Sequence, residues 1–441
     1  MKHIFPYRYR VLIFLFFLTF ICQLDRVAIS LVCIRIKSAF HLNNEQFGWI
    51  VSAFALAYAI FEIPSGKLGD RIGQRAVLIR IVLWWSLFTA LTGATTGLLS
   101  LLCVRFLFGA GEAGTYPNGA AIISRWFPVK ETSRAYSWLA MGGGAGAAVA
   151  PLIIVPIAVA YGWRIPFFVI GSIGLVWVLF WIFWFRNNPS EKKNISKEEL
   201  IYIETNRRVK NGRHSFSWRT VFKSRNVWGL SLGYFGCIFG WSFFMYWMPV
   251  YLQEGRHFSE NEMKAITSLL YVAGGISSFL SGFLSDWLVK RRGLRFGRRF
   301  IGMIGVGMGS ILFFLSAIIT NNVAVAGTLI SANFFIVSAI LAFFSTCIDI
   351  GGNNVGFITG IMNTSGQIAG FLGGIIVGKI VHVTHSFNSP LFVVGAVLFT
   401  GSLLWLAVDP NKKLSISDDE KLIRPDSLNT QLVLPTLQKI I

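Results

Sequence analysis

The chain has 441 residues, of which 54% are hydrophobic and only 14% charged, whereas a soluble globular chain carries about 25% charged residues. Apolar runs of the ~20-residue length that crosses a bilayer recur along it, which excludes a soluble fold and defines an all-α, polytopic membrane protein. The formal net charge of +20 does not indicate nucleic acid, because the clusters "RIGQR" (71–75), "RRVKNGR" (207–213) and "KRRGLRFGRR" (290–299) fall between apolar runs. The positive-inside rule places such loops on the cytoplasmic face.

The first element, "MKHIFPYRYRVLIFLFFLTFICQLDR", looks superficially like a signal peptide. It has no small-residue cleavage site, and its apolar run continues past Asp25 and Arg26, so it reads as a retained spanning helix. Twelve spans follow from the pattern, near 11–34, 47–67, 76–96, 98–123, 134–160 and 164–186, then 226–252, 263–285, 299–319, 323–347, 356–381 and 387–408. With the N-terminus inside, the loops at 68–75, 124–133, 187–225, 286–298 and 348–355 are cytoplasmic, as is the tail from 409. The expected division is an N-terminal bundle over 1–186, a linker over 187–225, a C-terminal bundle over 226–408 and a tail over 409–441.

The two halves carry related loops at equivalent places. "GKLGDRIGQR" (66–75) follows the second span and "GFLSDWLVKRRG" (282–293) follows the eighth. The first matches G-x-x-x-D-R-x-G-x-R at Gly66, Asp70, Arg71, Gly73 and Arg75, and so resembles the signature of the major facilitator superfamily. Asp286 stands where Asp70 stands in the first half. The resemblance implies two pseudo-symmetric six-helix bundles related by an axis along the membrane normal. It also implies a network at these loops that holds the cytoplasmic side closed while the outside is open.

Ionisable residues inside spans are the strongest functional signal. A charge near the bilayer centre costs roughly 2.5–3.5 kcal/mol on insertion scales, and such residues mark substrate or proton pathways by default. Arg105 and Glu112 are seven residues apart, which puts them within about 20° of one helix face and roughly 10 Å apart along the axis. In the first span "QLDRVAIS" places Asp25 and Arg26 about halfway across. Arginine keeps its charge and presents a planar fork of donors, so Arg26 and Arg105 are candidates to hold an anion. A carboxylate away from water gains a proton more readily, which makes Asp25 and Glu112 candidate proton carriers.

A closer resemblance rests on several segments: "LDR" in the first span, "RFLFGAGEAGTYPN" in the fourth, "GWRIPFFVIG" opening the sixth, "FSWRTVFKSRNVWGL", "YWMPVYL" and "CIDIGG…GIMNTSGQIAG". Together they resemble the anion:cation symporter family of the same superfamily, from about residue 10 to 408. The resemblance implies proton-coupled symport of small organic anions, sugar acids such as hexuronates, aldonates or aldarates foremost. It puts Asp25 and Glu112 on the proton path, and Arg26, Arg105, Tyr58 and Asn363 at the substrate. Gln367, one turn beyond Asn363, is positioned to add a hydroxyl contact. Gln23, Glu62 and Gly143 depart from the galactonate-type pattern and speak against galactonate itself.

Other classes fit less well. A drug/proton antiporter of the superfamily would show a fuller Gly-Pro signature than "AMGGGAGAAVAP" around Pro151. A sodium-coupled phosphate or organic-anion carrier stays open, since the sequence does not choose the coupling ion. No nucleophile–base constellation appears, so no enzyme is expected. His382 and His385 lack the companions a metal site needs, and no cofactor is expected. The expected partners are the anion, its coupling ion and the lipid bilayer, with the protein as a monomer in a cell membrane and both termini cytoplasmic.

Overall fold

The computed structural model describes residues 6–192, 194–207, 223–351 and 355–412. Most of the basic run 207–213, Gly352 and the tail from 413 lie outside the described residues. Among the described residues, 12 helices are long and apolar enough to cross a membrane. Spans 1 to 6 are Tyr7–Leu31, Asn44–Ile72, Gln74–Gly93, Leu98–Trp126, Lys130–Tyr161 and Ile165–Trp184. Spans 7 to 12 are Arg225–Tyr246, Glu260–Arg292, Leu294–Ile318, Asn322–Gly351, Ile358–Thr384 and Ser389–Ala407.

Local chemistry sets several boundaries. Span 2 starts on a capping box: the Asn43 carboxamide oxygen accepts from the Gln46 amide at 2.8 Å, and Gln46 Oε1 accepts from the Asn43 amide at 3.0 Å. Span 8 starts the same way at Ser259, where Glu262 accepts from the Ser259 amide at 2.9 Å. These caps satisfy donors that a helix start would otherwise leave bare.

Three elements differ from the sequence expectation. The first span bends at Val32 and continues as a short helix, Cys33–Phe40. Span 7 ends at Tyr246, and the chain turns through Met248–Val250 and a wide turn at Tyr251–Gly255. The fourth span is two helices, Leu98–Glu112 and Thr115–Trp126.

Within the first half, span 1 packs on span 5, span 2 on span 4 and span 3 on span 6. The second half repeats the scheme with spans 7 and 11, 8 and 10, and 9 and 12. Two six-helix bundles result, and they meet where span 2 crosses span 11 and span 5 crosses span 8. Lipid-like surroundings give helices no hydrophobic drive to associate, so close approach at small residues matters. At Gly48 a Cβ would stand 2.5 Å from the Gly374 carbonyl oxygen, so the crossing of spans 2 and 11 requires glycine there. The outer helices turn large side chains outward, as at Phe180 and Phe183 of span 6.

The two ends of the assembly differ. The basic end carries the 66–75 and 282–293 loops, and the opposite end carries the 32–43 connection. Among the described residues, the ion pairs joining the halves both lie at the opposite end: Arg35–Glu260 at 2.7 Å and Lys37–Glu254 at 2.7 Å. Lys37 also donates to Asn44 Oδ1 at 2.6 Å, and Ser30 donates to the Met245 carbonyl at 2.8 Å. Phe47 meets Trp247 edge to face there. At the basic end the linker helix Lys197–Asn206 docks on the first bundle, where Glu199 accepts from the Tyr7 and Arg8 amides at 3.0 and 3.1 Å.

Candidate functional site

The site is built on spans 1, 2 and 4. Cys22 and Arg26 stand one turn apart on span 1, with Asp25 between them, and all three are buried. Glu112 is the last residue of the first helix of span 4 and is fully buried. Gly114, two residues on, adopts φ +93°, a left-handed conformation that favours glycine. The break stays satisfied: Thr115 Oγ1 donates to the Glu112 carbonyl at 2.6 Å, and Asn118 Nδ2 donates to the Gly114 carbonyl at 2.8 Å. Irregular backbone at this depth is tolerated where protein surrounds it.

Arg26 Nε forms an ion pair with Glu112 Oε1, to which Cys22 Sγ also donates at 3.1 Å. The Arg26 guanidinium lies 4.7 Å from the centre of the Tyr58 ring and 5.2 Å from that of Phe54. Arg105 sits 5.1 Å from the same Phe54 ring and 4.7 Å from Phe108. Two guanidinium groups therefore approach one aromatic ring, an arrangement that suits cations held away from water. Arg105 is 2% exposed, yet among the described residues its Nε and Nη2 have no hydrogen-bond partner, and neither do Arg26 Nη2, Glu112 Oε2 or either oxygen of Asp25. The Thr89 hydroxyl of span 3 faces Asp25 without meeting hydrogen-bond geometry. Buried polar groups in native folds are almost always partnered, so this cluster retains capacity for a guest.

The structure brings together Asp25, Arg26, Arg105, Glu112 and Tyr58. Asn363 lies across the seam between the halves, where its Nδ2 donates to both oxygens of Glu62 at 2.7 and 2.9 Å. Gln367 is half-buried one turn further along span 11. Ser52 ties the same two spans by donating to the Phe371 carbonyl at 2.7 Å. Cys22, Phe54, Tyr116 and Tyr246 escaped sequence reasoning. Tyr246 on span 7 is buried within electrostatic reach of Arg26 and Arg105, and Tyr116 Oη stands 3.1 Å from where a Cβ on Gly143 would be. Phe54 had a signal in hindsight, since it precedes Tyr58 by one turn.

The loop motifs are placed as follows. Gly66 packs beside Pro117, and Gly73 turns the chain at φ +87° against Asn187. The Arg75 amide donates to Asn187 Oδ1 at 2.9 Å, and its guanidinium reaches the Ile182 carbonyl. Asp70 and Arg71 are exposed and make no ion pair among the described residues. Asp286 is 3.9 Å from Arg298, which binds Asp349 more closely at 2.8 Å.

The Major Facilitator Superfamily model matches residues 15–374, a stretch that holds every ionisable residue of the cluster. The chain belongs to the major facilitator superfamily. It is 32% identical to the "Probable sulfoacetate transporter SauU" of Cupriavidus necator over 96% of this chain and 98% of that protein. It is 30% identical to the "Probable L-galactonate transporter" of Escherichia coli K12 over 90% of this chain and 88% of that one. Among solved structures it resembles a bacterial homolog of the human lysosomal transporter Spinster, captured inward-facing and unoccupied. The TM-score is 0.74 at 18% identity, covering 91% of this chain and 97% of that one, a likeness of fold alone. The relatives are anion transporters of this superfamily, as the anion:cation symporter resemblance implies. The protein is thus a multi-pass membrane transporter and not an enzyme.

Proposed function

We propose that this transporter carries small organic anions, sugar acids foremost, together with a proton by alternating access. The observation that carries the reading is the buried cluster of two arginines and two carboxylates, with Arg26 and Glu112 paired while Arg26 Nη2, Arg105 Nε and Nη2, Glu112 Oε2 and both Asp25 oxygens have no hydrogen-bond partner among the described residues. With both carboxylates charged, the cluster is neutral and offers nothing net to an anion. Protonation of one carboxylate leaves a single positive charge that a carboxylate guest neutralises. A like-charge encounter costs several kcal/mol at an interface, so proton and anion binding favour each other. In this reading Asp25 and Glu112 hold the proton, Arg26 and Arg105 hold the substrate carboxylate, and Tyr58, Asn363 and Gln367 contact the rest of it.

The basic loops are cytoplasmic under the positive-inside rule, and the described conformation is then closed outside by Arg35–Glu260 and Lys37–Glu254. Asp70, Arg71 and Asp286 would engage when the cytoplasmic side closes. The two bundles are the rocking bodies, linked through 187–225, and one copy of the chain suffices. One relative is named as a "Sodium-dependent phosphate transport protein" of Arabidopsis thaliana at 29% identity, so sodium is the competing coupling ion. Uptake of a sugar-acid panel into proteoliposomes under an inward proton gradient, and separately a sodium gradient, tests the proposal. Uptake under the proton gradient is expected. No movement of any acid under either gradient would overturn the reading in favour of a drug/proton antiporter.

A further inference from the structure

Glu62 is a carboxylate that the cluster chemistry above does not use. It stands one turn along span 2 from Tyr58, about 6 Å nearer the basic end, and is half-buried between the two bundles. Both its oxygens accept from Asn363 Nδ2. Among the described residues it makes no ion pair, although Arg26 of span 1 acts on it electrostatically. The groups that feel its charge come from every side: Tyr58 on its own helix, Tyr136 on span 5 and Tyr234 on span 7. A carboxylate with both oxygens engaged as acceptors has lone pairs left for donors and repels other anions.

We propose that Glu62, oriented by Asn363, is a specificity-determining residue that restricts this transporter to hydroxylated monoanions. The inference rests on the organic-anion reading above. The site then has two poles along the path: Arg26 and Arg105 take the substrate carboxylate, and Glu62 accepts hydroxyl donors at the other end. A second carboxylate or a sulfonate at that end meets Glu62 as a like charge and is rejected. Sulfoacetate, which appears in the name of one relative, carries two anionic groups and no hydroxyl, so it falls in the rejected class. A site built to bond a hydroxyl also discriminates strongly against analogues that lack it.

Competition in counterflow exchange tests this, since counterflow needs no ion gradient. Purified protein is reconstituted, and gluconate is compared with glucarate (the same carbon chain with a carboxylate at both ends) and with sulfoacetate. The wild type is expected to favour gluconate over both by at least roughly tenfold. Glu62→Gln, whose amide also donates, is expected to bring gluconate and glucarate within about threefold of each other. Asn363→Ala keeps the carboxylate, so the discrimination between the two acids persists while both hydroxylated acids bind more weakly. Equal wild-type competition by glucarate or sulfoacetate would overturn the inference, and so would an unchanged ratio in Glu62→Gln. If Glu62→Gln does not fold, loss of discrimination in Asn363→Ala overturns it instead. Failure of every acid to compete removes the organic-anion reading itself, a result distinct from competition without charge discrimination.

Discussion

Arg26 on span 1 pairs with Glu112 on span 4, and Glu112 is the last residue before that span stops being helical. The break turns the backbone at Gly114 and ends the helix beside the pair. Transporters of several folds place their sites at such discontinuities.

Removing one partner of a buried ion pair strands the other charge. Glu112→Ala is expected to destabilise the protein by about 3–5 kcal/mol, whereas Glu112→Gln keeps an acceptor for Arg26 and costs less. Thermal unfolding of the two variants in detergent checks the order. Melting temperatures of both variants equal to that of the wild type would show that the pair contributes little to stability.

The left-handed turn at Gly114 makes its own demand. Gly114→Ala forces a Cβ into φ +93° against the Ser65 side chain, at a cost of about 1–2 kcal/mol from the backbone alone. The expected outcome is a lower melting temperature and a larger proportional loss of uptake, because Glu112 shifts with the turn. Wild-type uptake in a folded Gly114→Ala protein would contradict the role given to the break.

Charge alone does not define the arginine sites. Arg26→Lys keeps the cation but loses the planar fork and its stacking on Tyr58 and Phe54. Lysine is not equivalent at a stacked or bidentate position, and a loss of at least tenfold in uptake is expected, about 1.4 kcal/mol or more. Tyr58→Phe retains the ring and is expected to hold Arg26 in place, while Tyr58→Ala is not. Radiolabelled uptake for the three variants tests the ranking.

Among the described residues two ion pairs join the halves at the opposite end, and Lys37–Glu254 is the better buried. Such a pair contributes about 0.2–1 kcal/mol, enough to shift the balance between the two openings by up to roughly fivefold. Lys37→Met is expected to raise the labelling of a cysteine placed at Leu42, a buried residue at that end, in a background without native cysteines. The exchanged pair Lys37→Glu with Glu254→Lys is expected to restore protection. Unchanged labelling would remove the latch role.

The spans and the intramembrane charges were legible because hydropathy and cost act locally. Twelve apolar runs read directly as helices, and Asp25, Arg26, Arg105 and Glu112 stood out because charge in a bilayer is expensive. The helix break was less legible: Gly114 and Pro117 permit it, but both also occur inside continuous membrane helices. Contacts across the seam were out of reach. Glu62 with Asn363, and Lys37 with Glu254, join residues about 300 and 217 positions apart. Their pairing depends on how two bundles dock, which no local pattern encodes. The clustering of Cys22 on Glu112 is a matter of helix rotation, and its apolar neighbours gave no sign of it.

On the proposed mechanism Glu112 carries the proton that accompanies the anion. The most direct test compares wild type and Glu112→Gln in the same proteoliposomes, measuring sugar-acid accumulation under an inward proton gradient and, separately, counterflow exchange. Glu112→Gln is expected to lose gradient-driven accumulation while keeping exchange. Accumulation by Glu112→Gln that still follows the proton gradient would contradict it.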